Sequence, residues 1–593
     1  MVPRFLAIRS SGGQASRNNR LGAHIAQAKR DFGLAEVFDN GELLVLANPA
    51  AATLQVEGRG GAVIGDLFHR DASAAAVRPG DTLLGESLVQ SKGESLLGLT
   101  WGGYVALIWD EVERTLHVLR DPSGAMPCFR VSSQGLDLFF SDIEPVLGLE
   151  VLRPVVDRGF LAHHLTFPNL RSARTGLAGV SEVLAGTRVS VRPNGTEQAC
   201  AWSPWRFAGR EAQLGDRGEA IRRLREETER CVRRWGSLSG SILLELSGGL
   251  DSSIVAACLA GGPAAITCVT LVTPDPGADE RRYAALVAAA IDAPLVETPL
   301  KPASADLRRA PQNPLPRPGL GALQQVIDQA LIAEGQRLGV DAFFGGGGGD
   351  NVFCYLVTAA PAVDALLTKG LGATALGAVD SLAQVHGCTT WRAAILTMKK
   401  ALRGPRHPWR PDLRFTSPDV APKHPDAHPW LDWPANALPG KIEHVANLMR
   451  IQTAPDGKER PALAPVRHPL LSQPIVELCL NIPSWMWISG GQNRSVARDA
   501  FQDRLPPEII GRRTKGEFSS FSRSIYARNR SVLREYLIGG WLDGAGLLDR
   551  VAIEAYLAQS ESRDSHFYRL LEIAGVEAWA RSWSSRDIAG GRP

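Results

Sequence analysis

Short apolar stretches separated by turn residues characterise the first part of the chain. Hydrophobic and polar positions alternate within them, and Gly, Asp or Asn flanks several, a pattern typical of β-strands. The predicted strands are GELLVLAN, GGYVALIWD, RTLHVLRD, LDLFFSD and TRVSVRPNG. We therefore expect a β-rich domain over residues 1–205.

The hydrophobic period changes at about residue 217. GEAIRRLREETERCVRRW (218–235) has helical periodicity, and the short apolar strands ILLEL and ITCVTLV follow it. Strands that alternate with helices indicate βαβ units. Residues 206–593 are therefore expected to form an α/β domain with a parallel, doubly wound sheet.

A proline-rich segment interrupts this pattern between residues 403 and 440. It holds nine prolines and three tryptophans, and proline is excluded from helix interiors and central strands. We expect irregular structure here. A surface excursion and a wall or lid facing the substrate are the two interpretations, because long structureless loops in enzymes are often functional.

Length and composition describe an ordinary globular protein with more than one domain. The 593 residues exceed what one core supports, and 44% are hydrophobic and 21% charged. A net charge of +3 gives no reason to expect a nucleic-acid or membrane-surface partner. No secretory signal and no membrane-spanning apolar run is present, which predicts a cytoplasmic protein. The eight cysteines form no CxxC pair and predict no zinc site.

The strand ILLEL runs directly into SGGLDSS (247–253), and a helical pattern follows. Main-chain N–H groups in such a glycine turn, at a helix N-terminus, favour a bound anion; a chance glycine turn is the alternative. No Gly-Lys-Ser/Thr follows and the motif is not GxGxxG, which disfavours kinase-like and dinucleotide-binding interpretations. The candidate binding residues are Ser247, Gly248, Gly249, Leu250, Asp251, Ser252 and Ser253.

The motif SGGLDSS resembles the pyrophosphate loop of the asparagine synthetase type of ATP pyrophosphatases, enzymes that split ATP into AMP and pyrophosphate. A second stretch, DAFFGGGGGDNVFCY, resembles the strand, Gly-rich loop and Asp of that family. The resemblance implies that Gly347 and Gly348 contact the nucleotide. It also implies that Asp251 and Asp350 bind Mg²⁺ on the pyrophosphate, since this hard cation prefers oxygen ligands. Taken alone, the glycines equally fit a flexible loop.

The segment ITCVTLVTPDPGADERRYAALVAAAI resembles the second strand, loop and helix of the same family. This implies that main-chain groups at Val269, Leu271 and Val272 face adenine. Asp279 and Glu280 open the predicted helix, where capping explains acidic residues as well as a ligand role does.

Two C-terminal stretches also fit the family. RRTKGEFSS (512–520) resembles its Lys-x-x-Phe segment, which implies that Lys515 stabilises charge on the α-phosphate and the acyl-adenylate; a solvated surface charge is the alternative. HPLLSQPIVELCLNIP (468–483) resembles its Pro-Phe-Leu-Asp stretch. Within it, His468 and Glu477 are candidates for the base that deprotonates an attacking amine, and a structural role is the alternative for each.

The N-terminal half resembles the glutaminase domain of this family in residues 101–130, 141–149 and 179–191. The resemblance implies an α+β fold of the Ntn type for the β-rich domain. Such domains use a cysteine directly after the initiator Met as nucleophile, whereas Val2 and Pro3 stand here. We expect that this domain neither hydrolyses glutamine nor supplies ammonia.

Three branches of the family lack that cysteine: β-lactam synthetases, carbapenam synthetases and lasso peptide cyclases. Asn351 follows Asp350 here, and Pro465 and Ser472 stand where the family has the Glu and Asp of its Glu-Ala-Arg-Val-Pro-Phe-Leu-Asp motif. The carboxylate that acts within the general base of the β-lactam branch is therefore absent. The stretches that resemble lasso peptide cyclases are GGGGDNVF, HPWL (428–431), PGKIEH (439–444) and HPLLSQPIVE.

This branch implies an ATP- and Mg²⁺-dependent enzyme that adenylates an Asp or Glu side chain of a core peptide. The N-terminal amine of the peptide then closes an isopeptide (macrolactam) ring. A leader peptidase and a leader-binding protein are the further partners implied. The alternatives are an ammonia-dependent asparagine synthetase, a small-molecule amide synthetase of the β-lactam type, and an inactive scaffold. A tRNA-modifying pyrophosphatase is disfavoured by the near-neutral charge.

Overall fold

The N-terminal half is built on two β-sheets that contain all five strands expected from the alternation. The computed structural model describes residues 3–71, 82–83, 85–312, 315–319, 321–454, 456–513, 516, 518–559 and 564–589. The strands of this half are β1 (Phe5–Ser10), β2 (Ala35–Asp39), β3 (Leu43–Ala47), β4 (Thr53–Val56), β5 (Gly61–His69), β6 (Thr82–Leu83), β7 (Thr100–Asp110), β8 (Thr115–Arg120), β9 (Phe129–Ser133), β10 (Leu136–Phe140), β11 (Val180–Glu182), β12 (Thr187–Arg192) and β13 (Gly195–Cys200).

One sheet has the strand order β11-β9-β10-β1-β3-β2 and is antiparallel throughout. The other has the order β13-β12-β8-β7-β5-β4-β6, with a parallel pair at the β4–β6 edge. The helices of this half are α1 (Gly13–Phe32), α2 (Gly85–Gln90), α3 (Ser95–Leu99), α4 (Glu144–Leu147), α5 (Arg158–Thr166) and α6 (Trp205–Ala208).

Both faces of these sheets are buried. Ala7 of β1 packs with Val105 and Leu107 of the opposite sheet, whereas its neighbour Ile8 points the other way and packs with Leu21 of α1. Successive side chains of a strand point to opposite faces, so a strand covered on both sides is apolar at nearly every position. The layered arrangement of helix, sheet and sheet is the Ntn-type α+β fold expected from the sequence.

The C-terminal part contains a five-stranded parallel sheet of order β16-β15-β14-β17-β18. The order reverses between β14 and β17, and ligands of open α/β sheets bind outside the carboxyl ends of the strands at such a point. The strands of this part are β14 (Ser241–Glu245), β15 (Ala265–Val272), β16 (Leu295–Pro299), β17 (Ala342–Gly345), β18 (Val466–Arg467), and the hairpin β19 (Ile488–Ser489) and β20 (Gln492–Asn493).

Helices connect and surround these strands, as the change of period at residue 217 predicts. None of the helices in the described ranges has the length and apolarity that crossing a membrane requires. They are α7 (Arg217–Gly236), α8 (Leu250–Leu259), α9 (Arg281–Ala290), α10 (Ala322–Leu338), α11 (Gly349–Val352), α12 (Ala360–Lys369), α13 (Ala373–Val385), α14 (Thr390–Arg403), α15 (Pro439–Ile451), α16 (Gln473–Asn481), α17 (Ser495–Ala500), α18 (Pro507–Ile510), α19 (Ser519–Arg528), α20 (Arg530–Leu537), α21 (Trp541–Gly544), α22 (Arg550–Ala558) and α23 (Phe567–Ala589).

The proline-rich segment is irregular, as expected. Between the end of α14 and the start of α15 the chain forms a single 3₁₀ turn, Pro429–Leu431, and one isolated β-bridge from Thr416 to Leu548. Nine prolines remove the backbone donors that a helix or an interior strand needs. The segment is nevertheless anchored, because Trp409 and Trp430 are buried.

A buried charge network joins the two halves. The Glu182 carboxylate, at the end of β11, forms an ion pair with Arg120 (2.7 Å) and with Arg171 (3.5 Å) of the N-terminal half, and with Arg317 of the C-terminal half. Arg171 also donates to both oxygens of Asp456, at 2.6 and 2.7 Å. Burial alone would raise the pKa of Glu182, but the three guanidinium groups lower it to about 2.

Candidate active site

The SGGLDSS loop and the glycine cluster lie side by side. The first follows β14 and the second follows β17, and these strands are neighbours in the sheet. Together the two loops line a cleft of about 380 Å³ at the carboxyl ends of the strands. The predicted site residues that line it are Ser247, Gly249, Leu250, Asp251, Ser252, Gly347, Gly348, Asp350 and His468.

The 247–253 loop passes directly into helix α8. Gly249 precedes the first helical residue and carries no capping side chain, so the first N–H groups of the helix have no intrahelical acceptor. The hydroxyls of Ser252 and Ser253 donate to the Gly249 carbonyl, at 3.2 and 2.8 Å, and so do not serve as acceptors for these N–H groups through that contact. The loop therefore presents main-chain donors and the positive end of a helix dipole to the cleft, which suits a phosphate group.

The glycine cluster is closely packed against this loop. A Cβ at Gly346 would lie 2.4 Å from the Ser252 nitrogen, and one at Gly348, where φ is +88°, would lie 2.6 Å from Leu471. A side chain at Gly346 would require a backbone shift, and one at Gly348 would displace the Leu471 side chain and be strained by the positive φ. The glycines thus allow the two loops to approach each other, and this close packing argues against a freely flexible loop.

Asp251 and Asp350 converge on one point. Nη1 of Arg494 lies 3.0 Å from both carboxylate oxygens of Asp251 and also bonds Asp350. Burial opposes the charge of Arg494, but the two carboxylates hold its pKa above the ordinary value. Two carboxylates that face a single cationic position form a donor set that fits Mg²⁺. The residues that would hold the metal are therefore Asp251 and Asp350, at the position that Nη1 of Arg494 occupies in this structure.

Five more cations line the cleft, and sequence reasoning did not find any of them or Arg494. Burial and the neighbouring Arg494 lower the pKa of Arg498 to about 10. Against these six positive groups, the cleft has three lining carboxylates, Glu245, Asp251 and Asp350. This excess of positive charge favours a polyphosphate ligand. The five cations are Lys458, Arg460, Arg498, Arg512 and Arg513.

His468 is half-buried and lines the cleft. A Cβ at Gly347 would lie 2.7 Å from its Nδ1, and its Nε2 lies 3.1 Å from Nζ of Lys458. Burial, followed by the charges of Lys458 and Arg460, lowers the pKa of His468 well below its ordinary value. The imidazole is therefore neutral at physiological pH, which is the form that accepts a proton.

The charge of Lys458 should make nucleotide binding depend on pH. Burial, then the charge of Arg460, lowers the pKa of Lys458 to about 8, so the cation is present below pH 8 and lost above it. We expect the affinity for ATP to fall as the pH rises through about 8. Lys458→Met should bind ATP more weakly at pH 7 and lack this dependence. The exposed Lys423→Met should keep the affinity and the pH dependence of the parent protein. Isothermal titration calorimetry at several pH values measures both properties. An unchanged pH profile in Lys458→Met contradicts the assignment.

Several predicted residues lie beside the cleft without lining it. Gly248 packs against Tyr283, and Ser253 is buried within α8. Val269, Leu271 and Val272 are residues of β15 outside the cleft lining. The Val269 carbonyl already accepts from Leu246 N at 2.8 Å, as the parallel ladder requires. Contact of this strand with adenine stays a prediction.

The acidic pair before α9 has two separate roles. Asp279 accepts from the amide of Arg281 at 3.0 Å, which is a capping contact. Glu280 accepts two hydrogen bonds from Arg512 and one from the amide of Gly516, each at 2.6 Å. Glu280 thereby contacts one residue before and one residue after position 515 in the chain. Lys515 itself lies outside the described residues, as does Val2.

Glu477 is not brought to the cleft. Its carboxylate lies between the two halves of the protein, where it pairs with Arg70 (2.8 Å) and accepts from Trp202 (2.8 Å) and Gln473 (2.7 Å). These three donors satisfy the carboxylate. In this structure Glu477 therefore holds the two domains together, and it does not lie where it could deprotonate an amine in the cleft. Glu477 lies on α16, and the sequence does not show which face of this helix meets the other domain.

The fold and the site define an ATP pyrophosphatase domain joined to a glutaminase-type domain. The sequence model for asparagine synthase matches residues 223–581, more than half of the chain. The protein belongs to the asparagine synthase family, whose members are ATP-dependent, amide-forming ligases that release AMP. The model for the glutamine amidotransferase domain matches residues 79–202.

Glutamine-hydrolysing asparagine synthetase 3 of Bacillus subtilis strain 168 is 26% identical over 161 residues, which cover 27% of this chain and 26% of that protein. The chain thus matches about a quarter of that relative's length. Glutamine phosphoribosylpyrophosphate amidotransferase of B. subtilis, in complex with ADP and GMP, is 11% identical with a TM-score of 0.21, covering 50% of this chain and 65% of that one. An allosteric regulatory enzyme of purine biosynthesis is 11% identical with a TM-score of 0.22, covering 58% and 74%.

Proposed function

We propose that this protein is a lasso peptide cyclase, an enzyme that joins an Asp or Glu side chain of a core peptide to the peptide's own N-terminal amine. Membership of the asparagine synthase family supports the coarser part, ATP-dependent amide formation with release of AMP. The observation that carries the finer part is a second cavity of about 880 Å³ beside the nucleotide cleft. Its volume is near the upper end of the range for small-molecule sites, well above the need of a free amino acid.

The proline-rich segment forms part of the wall of this cavity. Residues 403–408 and Arg410 line it, together with side chains of α14 and α15. This placement supports the interpretation of the segment as a substrate-facing wall. A folded peptide, held with its amine next to an activated carboxyl group, is the substrate that a cavity of this size suits.

In the first proposed step, a carboxylate oxygen of the peptide attacks the α-phosphorus of ATP and pyrophosphate leaves. The amides of the 247–253 loop and the cations of the cleft bind the phosphates and stabilise the charge on the departing group. Mg²⁺, held by Asp251 and Asp350, would neutralise charge on the pyrophosphate. The resemblance assigns Lys515 to the α-phosphate.

In the second step, the nitrogen of the peptide N-terminus attacks the acyl carbon, the acyl–phosphate bond breaks and AMP leaves. The amine loses a proton to a base, and the neutral His468 is the candidate that lies in the cleft. Orientation supplies much of the acceleration, since effective molarities of well-placed groups reach about 10⁵ M or more. The partners implied are a protease that frees the amine and a leader-binding protein.

ATP–pyrophosphate exchange with Mg²⁺ tests the proposal. The substrates to compare are free aspartate, aspartate with ammonia, and leaderless peptides that begin with Gly and carry Asp or Glu about seven to nine residues on. Exchange that requires a peptide and accompanies the loss of one water from the peptide mass supports the cyclase. Formation of asparagine from aspartate and ammonia would identify an asparagine synthetase instead, and lactam formation from a small molecule would identify that branch. Absence of exchange with every substrate would favour the inactive scaffold.

A further inference from the structure

Among the charged side chains that line the 880 Å³ cavity, nearly all are positive. Arg392, Lys399 and Arg403 follow one another at helical spacing on one side of α14, because residues seven and four positions apart share a helix face. Arg406 and Arg410 extend the positive lining along the proline-rich segment. All five side chains are exposed to the cavity, and within the described residues none forms an ion pair.

The carboxylate that the cavity contributes is already neutralised. Glu443 of α15 pairs with Lys400 at 2.6 Å and accepts from the Thr358 hydroxyl at 2.7 Å. Arg450, next to it, stacks on Trp409 with its guanidinium carbon 4.6 Å from the ring centre. The five cations of α14 and the proline-rich segment therefore have no internal counter-charge among the described residues, and an anionic ligand would supply one.

The cavity and the nucleotide cleft lie next to each other, because residues of the two linings are in contact. Asn351, which lines the nucleotide cleft, donates to the carbonyl of Asn447 at 2.8 Å, and Asn447 lines the cavity. Tyr355 of the cavity lies 5.4 Å from the guanidinium carbon of Arg494, whose Nη1 bonds Asp251 in the cleft. A peptide with its reacting carboxyl group in the cleft would extend the rest of its chain into the cavity.

ATP does not account for the basic lining, because its phosphates have their own cations in the cleft. We propose that the cavity binds a second carboxylate of the peptide substrate, separate from the one that is adenylated. This carboxylate is either the C-terminus of the peptide or an acidic side chain of its tail, which present the same chemistry to Arg and Lys. The inference rests on the proposed function, since it takes the substrate to be a peptide.

Peptide binding tests the inference independently of catalysis. Fluorescence anisotropy compares three labelled peptides that begin with Gly and carry one Asp about seven to nine residues on. One ends in a free carboxylate, one in an amide, and one in an amide with a Glu added to the tail. We expect the uncharged amide to bind about five- to tenfold more weakly than the free acid. The tail Glu restores binding if a side chain suffices, and the preference should shrink at high salt.

Variants locate the effect in the cavity. Arg403→Gln combined with Arg406→Gln, and Arg392→Gln alone, should each reduce the preference for the free acid. Arg153→Gln changes an exposed arginine of the other half and should retain it. Equal binding of acid and amide peptides, or a preference that survives in the variants, overturns the inference. Ring closure that is equally fast with the acid and the amide peptide would leave the cyclase proposal intact and refute the cavity assignment. Charge-dependent binding without ATP–pyrophosphate exchange would support the cavity assignment and refute the cyclase proposal.

Discussion

Asp251→Asn is expected to slow ATP–pyrophosphate exchange by about 100- to 1,000-fold. The substitution keeps the shape of the side chain but removes one of the two carboxylates that converge on Nη1 of Arg494. A charge lost from a preorganised, largely buried site costs transition-state stabilisation of this order. The measurement is the exchange rate at saturating ATP and Mg²⁺, with circular dichroism to confirm that the variant is folded.

Asp279→Asn is the matched control. Asp279, like Asp251, lies near the N-terminus of a helix that follows a strand of the parallel sheet, but it accepts from the Arg281 amide and does not line the cleft. Its substitution should leave the exchange rate within about twofold of the parent. A similar loss in both variants would indicate a general effect of charge, and full activity of Asp251→Asn would refute the assignment of Asp251.

Glu182→Gln should lower the free energy of unfolding by about 3–5 kcal/mol. The carboxylate is buried among Arg120, Arg171 and Arg317, and removing one partner of a buried pair leaves uncompensated charge. Urea denaturation followed by tryptophan fluorescence measures the change. Glu197→Gln breaks an ion pair of similar length, 2.6 Å to Arg192, at the surface and should have little effect, since exposed pairs are screened by solvent.

The same carboxylate predicts how stability depends on acid. The folded-state pKa of Glu182, about 2, is lower than its ordinary value of 4.5, so the unfolded chain takes up the proton first. The stabilisation is therefore complete above about pH 4.5 and is lost as the pH falls towards 2. Glu182→Gln should show a smaller loss of stability over this range than the parent. Parallel curves for the two proteins would contradict the low pKa.

Short-range patterns predicted much of the nucleotide site. The strand, the glycine turn and the helix around residues 242–259 follow each other directly, so the main-chain donors of the loop depend on neighbouring residues alone. The glycine cluster after β17 could be recognised in the same way. The reason for the glycines could not, because the Cβ clashes at Gly346 and Gly348 involve Ser252 and Leu471, which are far away in the sequence.

Side chains that reach the site from distant segments were beyond prediction. Arg494 stands in the stretch QNRSVARDAF, which has no recognisable motif, and it meets Asp251 across 243 positions of the chain. Glu477 shows the opposite failure: it lies in a segment that resembles the family's, yet its side chain faces Arg70 and Trp202 of the other domain. Arg494 directly precedes α17, and Glu477 lies on α16. In both cases the direction of the side chain depends on how distant segments pack.

The sequence by itself determined the two kinds of domain, the parallel sheet, the glycine loop at the start of α8 and the membership of an ATP-dependent ligase family. Each rests on hydrophobic period or on a run of adjacent residues, where local backbone geometry and hydrogen bonding dominate. Only the tertiary structure decided which cations line the cleft and which carboxylates lie at the domain interface. It also decided that α14 and the proline-rich segment enclose a basic cavity. These features depend on contacts between segments far apart in the chain, and only the packed core brings them together.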